Sequence, residues 1–200
     1  MLEKEILKQV IHRTENMVVF ELDSDVRIEV YHDGTVVKSK KVGKSFMPIP
    51  LYENDTDKAF HFVRLRSNGQ EITIGRARLI TLAFHGVPES EFCCIRFIDG
   101  NYKNQSADNV EFATYRQQFC ILDLISKLKK YQININRGIS VQDYVELEKQ
   151  GLVFFNSLSE DKLQDNLVKV ASYINGDVFN IEAIEEYRAD SGGILTSNIF

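Results

Sequence analysis

The sequence predicts an α+β protein in which a β-hairpin module leads into a small mixed core and then into a mainly helical C-terminal part. Three observations predict this class. Runs of β-branched and aromatic residues in the first third are punctuated by the turn pairs Asp33-Gly34 and Asn68-Gly69, the strongest short-range hairpin signal. Apolar residues then recur at helical spacing through residues 141–150, 160–174 and 181–188. Finally, 200 residues with 44% apolar content suffice to bury a core, as one generous domain or as smaller units. We divide the chain into 1–58, 59–135 and 136–200, the last marked by a shift towards acidic residues.

The elements follow in order. Leu2, Ile6 and Val10 predict a short amphipathic helix over residues 2–12. From Met17 the runs MVVFEL, VRIEVY and TVVKSKKV read as strands, the last two joined at Asp33-Gly34. A polar stretch over 52–58 reads as a loop. AFHFVRLR and EITIGR form a second hairpin around Ser67-Asn68-Gly69. RARLITLAFHG reads as a helix closed by Gly86, with Pro88 just beyond. FCCIRF reads as a strand, followed by a turn rich in Asp, Gly and Asn. A helix entered near 106–109 is expected to continue to Tyr131, and Arg137-Gly138 closes the region. The tail from Ser191, with Gly192 and Gly193, is expected to be loose.

Charge narrows the function. Lys and Arg number 24 against 29 Asp and Glu, a net charge of −5. That balance argues against a chain that coats nucleic acid or an acidic membrane by bulk attraction, so any such contact must be a local patch. The N-terminus lacks the apolar run of a signal peptide, and no stretch approaches the roughly 18 apolar residues of a membrane span. A cytoplasmic protein is expected. Cys93, Cys94 and Cys120 make neither a disulfide framework nor a zinc half-site, so reduced structural thiols and no cofactor are expected.

The text RLITLAF followed by FIDGNYKNQSADNVEF carries the most specific pattern. It resembles the HNH endonucleases of phage and intron origin. Their pattern runs His-Arg-Leu-Val before an Ala-Phe helix, then Asn-His-x-Asp-Gly-Asn, Asn-Asn and Glu-Asn-Leu-Glu-Trp. This sequence matches it at Arg78, Leu79, Ala83, Phe84, Asp99, Gly100, Asn101, Asn104, Asn109 and Glu111. Asp108, Val110 and Phe112 are close substitutes, and VRIEVYHDGTVVKS resembles the module that often precedes the family's core. The resemblance covers about residues 26–118. It implies a ββα-metal-like core and a viral or mobile-element source.

It also implies what has been lost. In the family the histidine before x-Asp-Gly-Asn takes a proton from the attacking water, while its neighbour and a helix Asn hold one divalent ion. Here those first two positions are Arg96 and Phe97, and Ala77 stands where a histidine leads the helix. Phenylalanine accepts no proton, and losing a general base forfeits about 100- to 10,000-fold in rate. Arginine repels a cation, and Asn109 alone is a weak ligand for Mg²⁺. The vestigial positions Arg96, Phe97, Asp99, Asn101, Asn104 and Asn109 therefore imply no catalytic and no metal residue. Asp99, Gly100 and Asn101 suit a tight turn that Asn104 and Asn109 can brace.

Arg64, Arg66, Arg76, Arg78, Arg96, Lys103 and Arg116 make the core locally basic, either a phosphate-contacting face or a solvated one. Arg96 meets a phosphate oxygen on one reading and pairs with Asp99 or Asp108 on the other. Phe97 is either core or a stacking platform for a base. Lys127-Leu128-Lys129-Lys130 reads as a solvated helix end, and the acidic C-terminal part as ordinary helices or a host-protein contact. The resulting expectation is a degenerate HNH protein that binds DNA, or a host protein, to regulate or inhibit it. The alternatives are a nuclease re-tooled through His85, or through Asp99 and Asn109, and a protein-binding inhibitor that does not touch nucleic acid.

Overall fold

Alternation of apolar and polar residues lays the N-terminal part out as an antiparallel meander whose one face is closed by helices. The computed structural model describes residues 2–23, 25–50, 62–67, 70–88, 90–155 and 158–176. Helix α1 (Leu2–Leu7) is followed by β1 (Val10–Arg13), β2 (Met17–Asp23), β3 (Val26–Tyr31), β4 (Val36–Val42) and β5 (Ser45–Ile49). These strands pair in sequence order, with Phe20 opposite Ile28 and Val30 opposite Val36. Val18, Phe20, Ile28 and Val30 are thereby placed in the core, each large side chain contributing about 1.5–3 kcal/mol by leaving water. The expected helix over 2–12 is corrected: it stops at Leu7, because Val10 and His12 find strand partners in Phe20 and Val19. A pairing partner decides between helix and strand where local periodicity is short.

The second hairpin is β6 (Phe62–Ser67) with β7 (Gln70–Gly75), and α2 (Arg76–His85) runs directly from it to Gly86. Leu79, Ile80, Leu82 and Ala83 of α2 join the sheet's apolar face, Ile6, Val63 and Ile74 in one buried cluster that reaches Val110. The Asp33-Gly34 turn ties this sheet to the following loop. The His32 carbonyl accepts from Ala107 N (2.8 Å), and Arg76 donates twice to the Gly34 carbonyl (3.1 and 2.8 Å). Gly34 has φ +91°, and a Cβ there would lie 2.6 Å from the Gln105 carbonyl oxygen, so only glycine suits this contact.

Strand β8 (Cys93–Phe97) pairs antiparallel with β9 (Val110–Thr114), and α3 (Tyr115–Lys130) follows at once. This corrects the helix expected from 106–109. Residues 107–109 form a single 3-10 turn, and Val110–Thr114 is a strand because it has β8 to pair with. The helix begins at a capping box: Thr114 Oγ1 accepts from Gln117 N (3.2 Å) and Gln117 Oε1 from Thr114 N (2.8 Å).

The C-terminal part holds α4 (Val141–Lys149) and α5 (Glu160–Asn175), as the periodicity predicts. A second buried cluster joins Ile121, Leu124 and Leu128 of α3 to Ile139, Leu147, Leu167, Val170 and Ile174. The loop expected over 52–58, the turn residues Asn68 and Gly69, the helix over 181–188 and the tail lie outside the described residues. Among the described residues, no helix is long and apolar enough to cross a membrane.

Candidate functional site

The Asx-rich segment between β8 and β9 is closed by its own side chains. Asn109 Oδ1 accepts from Asp99 N (2.9 Å), while its Nδ2 donates to Asp99 Oδ1 (2.8 Å) and to the Asn104 carbonyl (2.7 Å). Asn104 Nδ2 donates to Asp99 Oδ2 (2.8 Å), and Asn101 N donates to Asp99 Oδ1 (2.7 Å). Asn101 Oδ1 in turn accepts from Lys103 N (3.1 Å). Gly100 completes the turn at φ +74°. Asn109 is buried, and both donors and its acceptor are used within the loop.

Partial desolvation works to raise the Asp99 carboxyl, but the bonds from Asn104, Asn101 and Asn109 outweigh it and hold it below its ordinary 3.8. Asp143 is likewise lowered: desolvation opposes, and the Arg137 guanidinium with the Ser140 amide and hydroxyl prevails. Folded values below the unfolded ones contribute stability above about pH 4 that is lost as pH falls through the folded values. We expect urea midpoints to be flat from about pH 7 to 5 and to decline below about pH 4. Asp99→Asn and Asp143→Asn should each flatten that decline; an unchanged acid limb in both variants would contradict the assignment.

Arg96 is 4% exposed, and its Nη1 donates to Glu111 Oε1 at 2.5 Å. The two residues are cross-strand partners. Glu111 also accepts from Val141 N through both oxygens (3.0 Å each), so one carboxylate links β8, β9 and the N-terminus of α4. This corrects both readings of Arg96: its guanidinium is withdrawn from solvent phosphate, and its partner is Glu111 rather than Asp99 or Asp108. Phe97 is partly buried and packs against the edge of the first buried cluster.

These residues do not fit a divalent cation. Arg96 is cationic, Phe97 has no donor atom, and the Asn109 amide is consumed by the loop. Among the described residues no group of three or more His, Cys, Asp or Glu is placed to hold a metal ion. His85 is also engaged: its Nε2 lies 2.8 Å from the Ala107 carbonyl and donates to it.

The other basic residues are spread over β6, α2, the loop after β8 and α3. Arg76 holds the Gly34 carbonyl, and Arg78 lies against Cys93 Sγ (3.8 Å) and over the Phe112 ring (5.4 Å). Arg116 pairs with Glu148 (3.1 Å) yet remains largely exposed, and Lys103 is exposed on the loop. Arg64 and Arg66 sit two apart on β6, opposite Thr73 and Glu71 rather than beside Arg76 or Arg78. Two features escaped the sequence reading. Lys40, Lys41 and Lys44 are exposed on the β4–β5 hairpin, where the run KSKKVGK was the available signal, and Arg27 stacks over Phe46 at 3.9 Å. An open groove of about 660 Å³ also runs beside α3, walled by Gln118, Leu122, Ile125 and Lys129 on one side and by residues 95–100 and 135–138 on the other.

Among solved structures, the chain is similar to an HNH homing endonuclease. That enzyme is I-HmuI, described for DNA binding and cleavage, with a TM-score of 0.37 and 16% identity. The match covers 64% of this chain and 64% of that one, less than two thirds of its length. No family model and no curated protein matches the chain. A TM-score of this size carries nothing over from that enzyme to these residues.

Proposed function

We propose that this chain is an HNH-type ββα protein that binds DNA without cutting it, encoded by a phage or mobile element and serving to regulate or inhibit. One observation carries the loss of cleavage: the positions from which the chemistry would run are committed elsewhere. Phe97 packs against the first buried cluster, Arg96 is paired with Glu111, and Asn109 is bound within its own loop. No proton acceptor and no cation ligand is left at these three positions.

The DNA contact is supported by the exposed lysines of the β4–β5 hairpin, with Arg64 and Arg66 of β6 and Lys103 as further positions. A two-stranded ribbon fits the major groove, and a short lysine cluster is the kind of local patch an acidic chain requires. Fluorescence anisotropy on duplex DNA across a salt series tests this reading. Neutralising three phosphates with the hairpin lysines contributes about −3 to the log–log salt slope. The triple substitution Lys40→Ala, Lys41→Ala, Lys44→Ala is expected to make the slope shallower by about that amount. Absence of binding at low salt removes the DNA reading. A plasmid-nicking assay with Mg²⁺ or Mn²⁺ is expected to leave the substrate intact, whereas metal-dependent breaks that disappear in Asn109→Ala would restore the nuclease.

A further inference from the structure

Helix α3 turns a stripe of large side chains outward. Tyr115, Phe119 and Leu122 are 65%, 74% and 53% exposed, and exposed Ser126 continues the line. The spacing of four, three and four is that of a coiled-coil seam, and it sets these residues on the side of the helix opposite Ile121, Leu124 and Leu128 of the second core. The helix thus has two apolar faces, of which the fold uses one. Large apolar side chains gathered along one line mark a docking surface, unlike single exposed residues scattered over a protein.

We propose that this face pairs with α3 of a second copy of the chain, antiparallel about a twofold axis. Charge complementarity is the first argument. Arg116 and Asp123 lie two helical turns apart and so share one flank of the stripe. A twofold axis between antiparallel helices sets like flanks together and reverses their direction. It brings Arg116 of each copy to the partner's Asp123, closing two ion pairs at once. A parallel pairing would set both charges against the opposite flank, where Gln118 and Ile125 carry none. The Arg116 side chain is 76% exposed and that of Asp123 45%. Each already has a partner in its own chain, Glu148 and Lys127, but those bonds use only Nη2 of the arginine and Oδ2 of the aspartate.

Shape is the second argument. The same register seats Phe119 against the partner's Leu122 and Tyr115 against the partner's Ser126, so that a large side chain faces a small one at each end of the seam. Area is the third. Tyr115, Phe119 and Leu122 together expose about 400 Å² per copy, half of the roughly 800 Å² that each partner buries in a standard interface. Arg116, Asp123 and Ser126 along the flank and seam add to that. Phe92, 79% exposed, precedes Cys93, the strand partner of the α3 cap residue Thr114, and so stands at the Tyr115 end of the helix. The surface carries its own complement in charge and in shape, which is what a second copy supplies.

Sedimentation velocity on the full chain, run at low salt over a range of concentrations, tests the pairing. A reversible equilibrium between monomer and dimer is expected. Phe119→Asp with Leu122→Asp, both on the exposed stripe, is expected to leave only monomer while the circular dichroism stays that of the unaltered chain. Arg116→Glu sets like charges together on both sides of the axis and is expected to raise the dissociation constant about tenfold or more. Arg116→Glu combined with Asp123→Arg exchanges the two charges and is expected to restore the dimer, a recovery that damage to the fold or to the pairs within one chain would not give. Monomer alone in the unaltered chain, as when another part of the chain lies over the stripe, overturns the proposal. So does a dimer that survives Phe119→Asp with Leu122→Asp, an unchanged dissociation constant in Arg116→Glu, or a charge exchange that restores nothing.

Discussion

Replacing Arg96 by alanine is expected to cost about 3 kcal/mol of stability and to leave DNA affinity unchanged. The stability loss follows from what is left behind. Glu111 is 15% exposed, and without the guanidinium its carboxylate keeps only the bonds from Val141 N. Removing one partner of a buried pair is costly because the other stays charged and desolvated. The damage should extend to α4, whose first turn is held by that carboxylate. Arg96→Met combined with Glu111→Gln is expected to recover much of the loss, since it removes both charges and keeps an acceptor for Val141 N. The unchanged affinity follows from burial, as a residue 4% exposed has little surface to offer a phosphate. Urea midpoints and low-salt anisotropy measure the two effects. A stable Arg96→Ala variant that binds DNA more weakly would return Arg96 to the phosphate-contacting set.

Gly138→Ala should have an effect of similar size through sterics alone. A Cβ at Gly138 would stand 1.9 Å from the Ile98 carbonyl oxygen, 2.5 Å from its carbon and 3.0 Å from Ile98 Cγ2. Two of these are backbone atoms, so no side-chain rotation relieves the contact. Either β8's continuation or the 135–138 segment must move, which opens the wall of the groove and disturbs Ile139 in the second core. Overpacking of this severity costs about 3 kcal/mol or more. Gly43→Ala is the control: it has positive φ (63°) but nothing within 4 Å of its Cβ, so it carries only the conformational cost of about 1 kcal/mol. Equal melting shifts for the two variants would show that the Gly138 contact relaxes without strain.

The local elements were legible where turn chemistry and periodicity acted together. Asp33-Gly34 marked the β3–β4 connection, Gly86 ended α2, and the helical spacing after Ser140 placed α4 and α5. The two misread stretches share a cause. Residues 10–12 and 110–114 have apolar spacing compatible with either helix or strand, and each became a strand because β2 or β8 lay beside it. Thr114 and Gln117, three apart, spelled the true helix start, but the capping signal was passed over in favour of an earlier entry. The basic ribbon was also readable, as KSKKVGK between two strands. The groove was not, since it is made where α3 meets residues far along the chain.

The sequence by itself determined what the side chains at positions 96 and 97 can do. Phe97 offers no acceptor and Arg96 stays cationic whatever surrounds them, because these are properties of the side chains. It determined equally that Gly100 and the Asx residues would make a self-braced turn, since those bonds form between near neighbours in the chain. Only the tertiary structure decided which groups remain available. Asp99 and Asp108 lie closer to Arg96 along the chain than Glu111 does, yet the β8–β9 register makes Glu111 the partner and α4 closes over it. Availability depends on which distant segments are brought against a side chain, and that is set by the packing of the whole molecule.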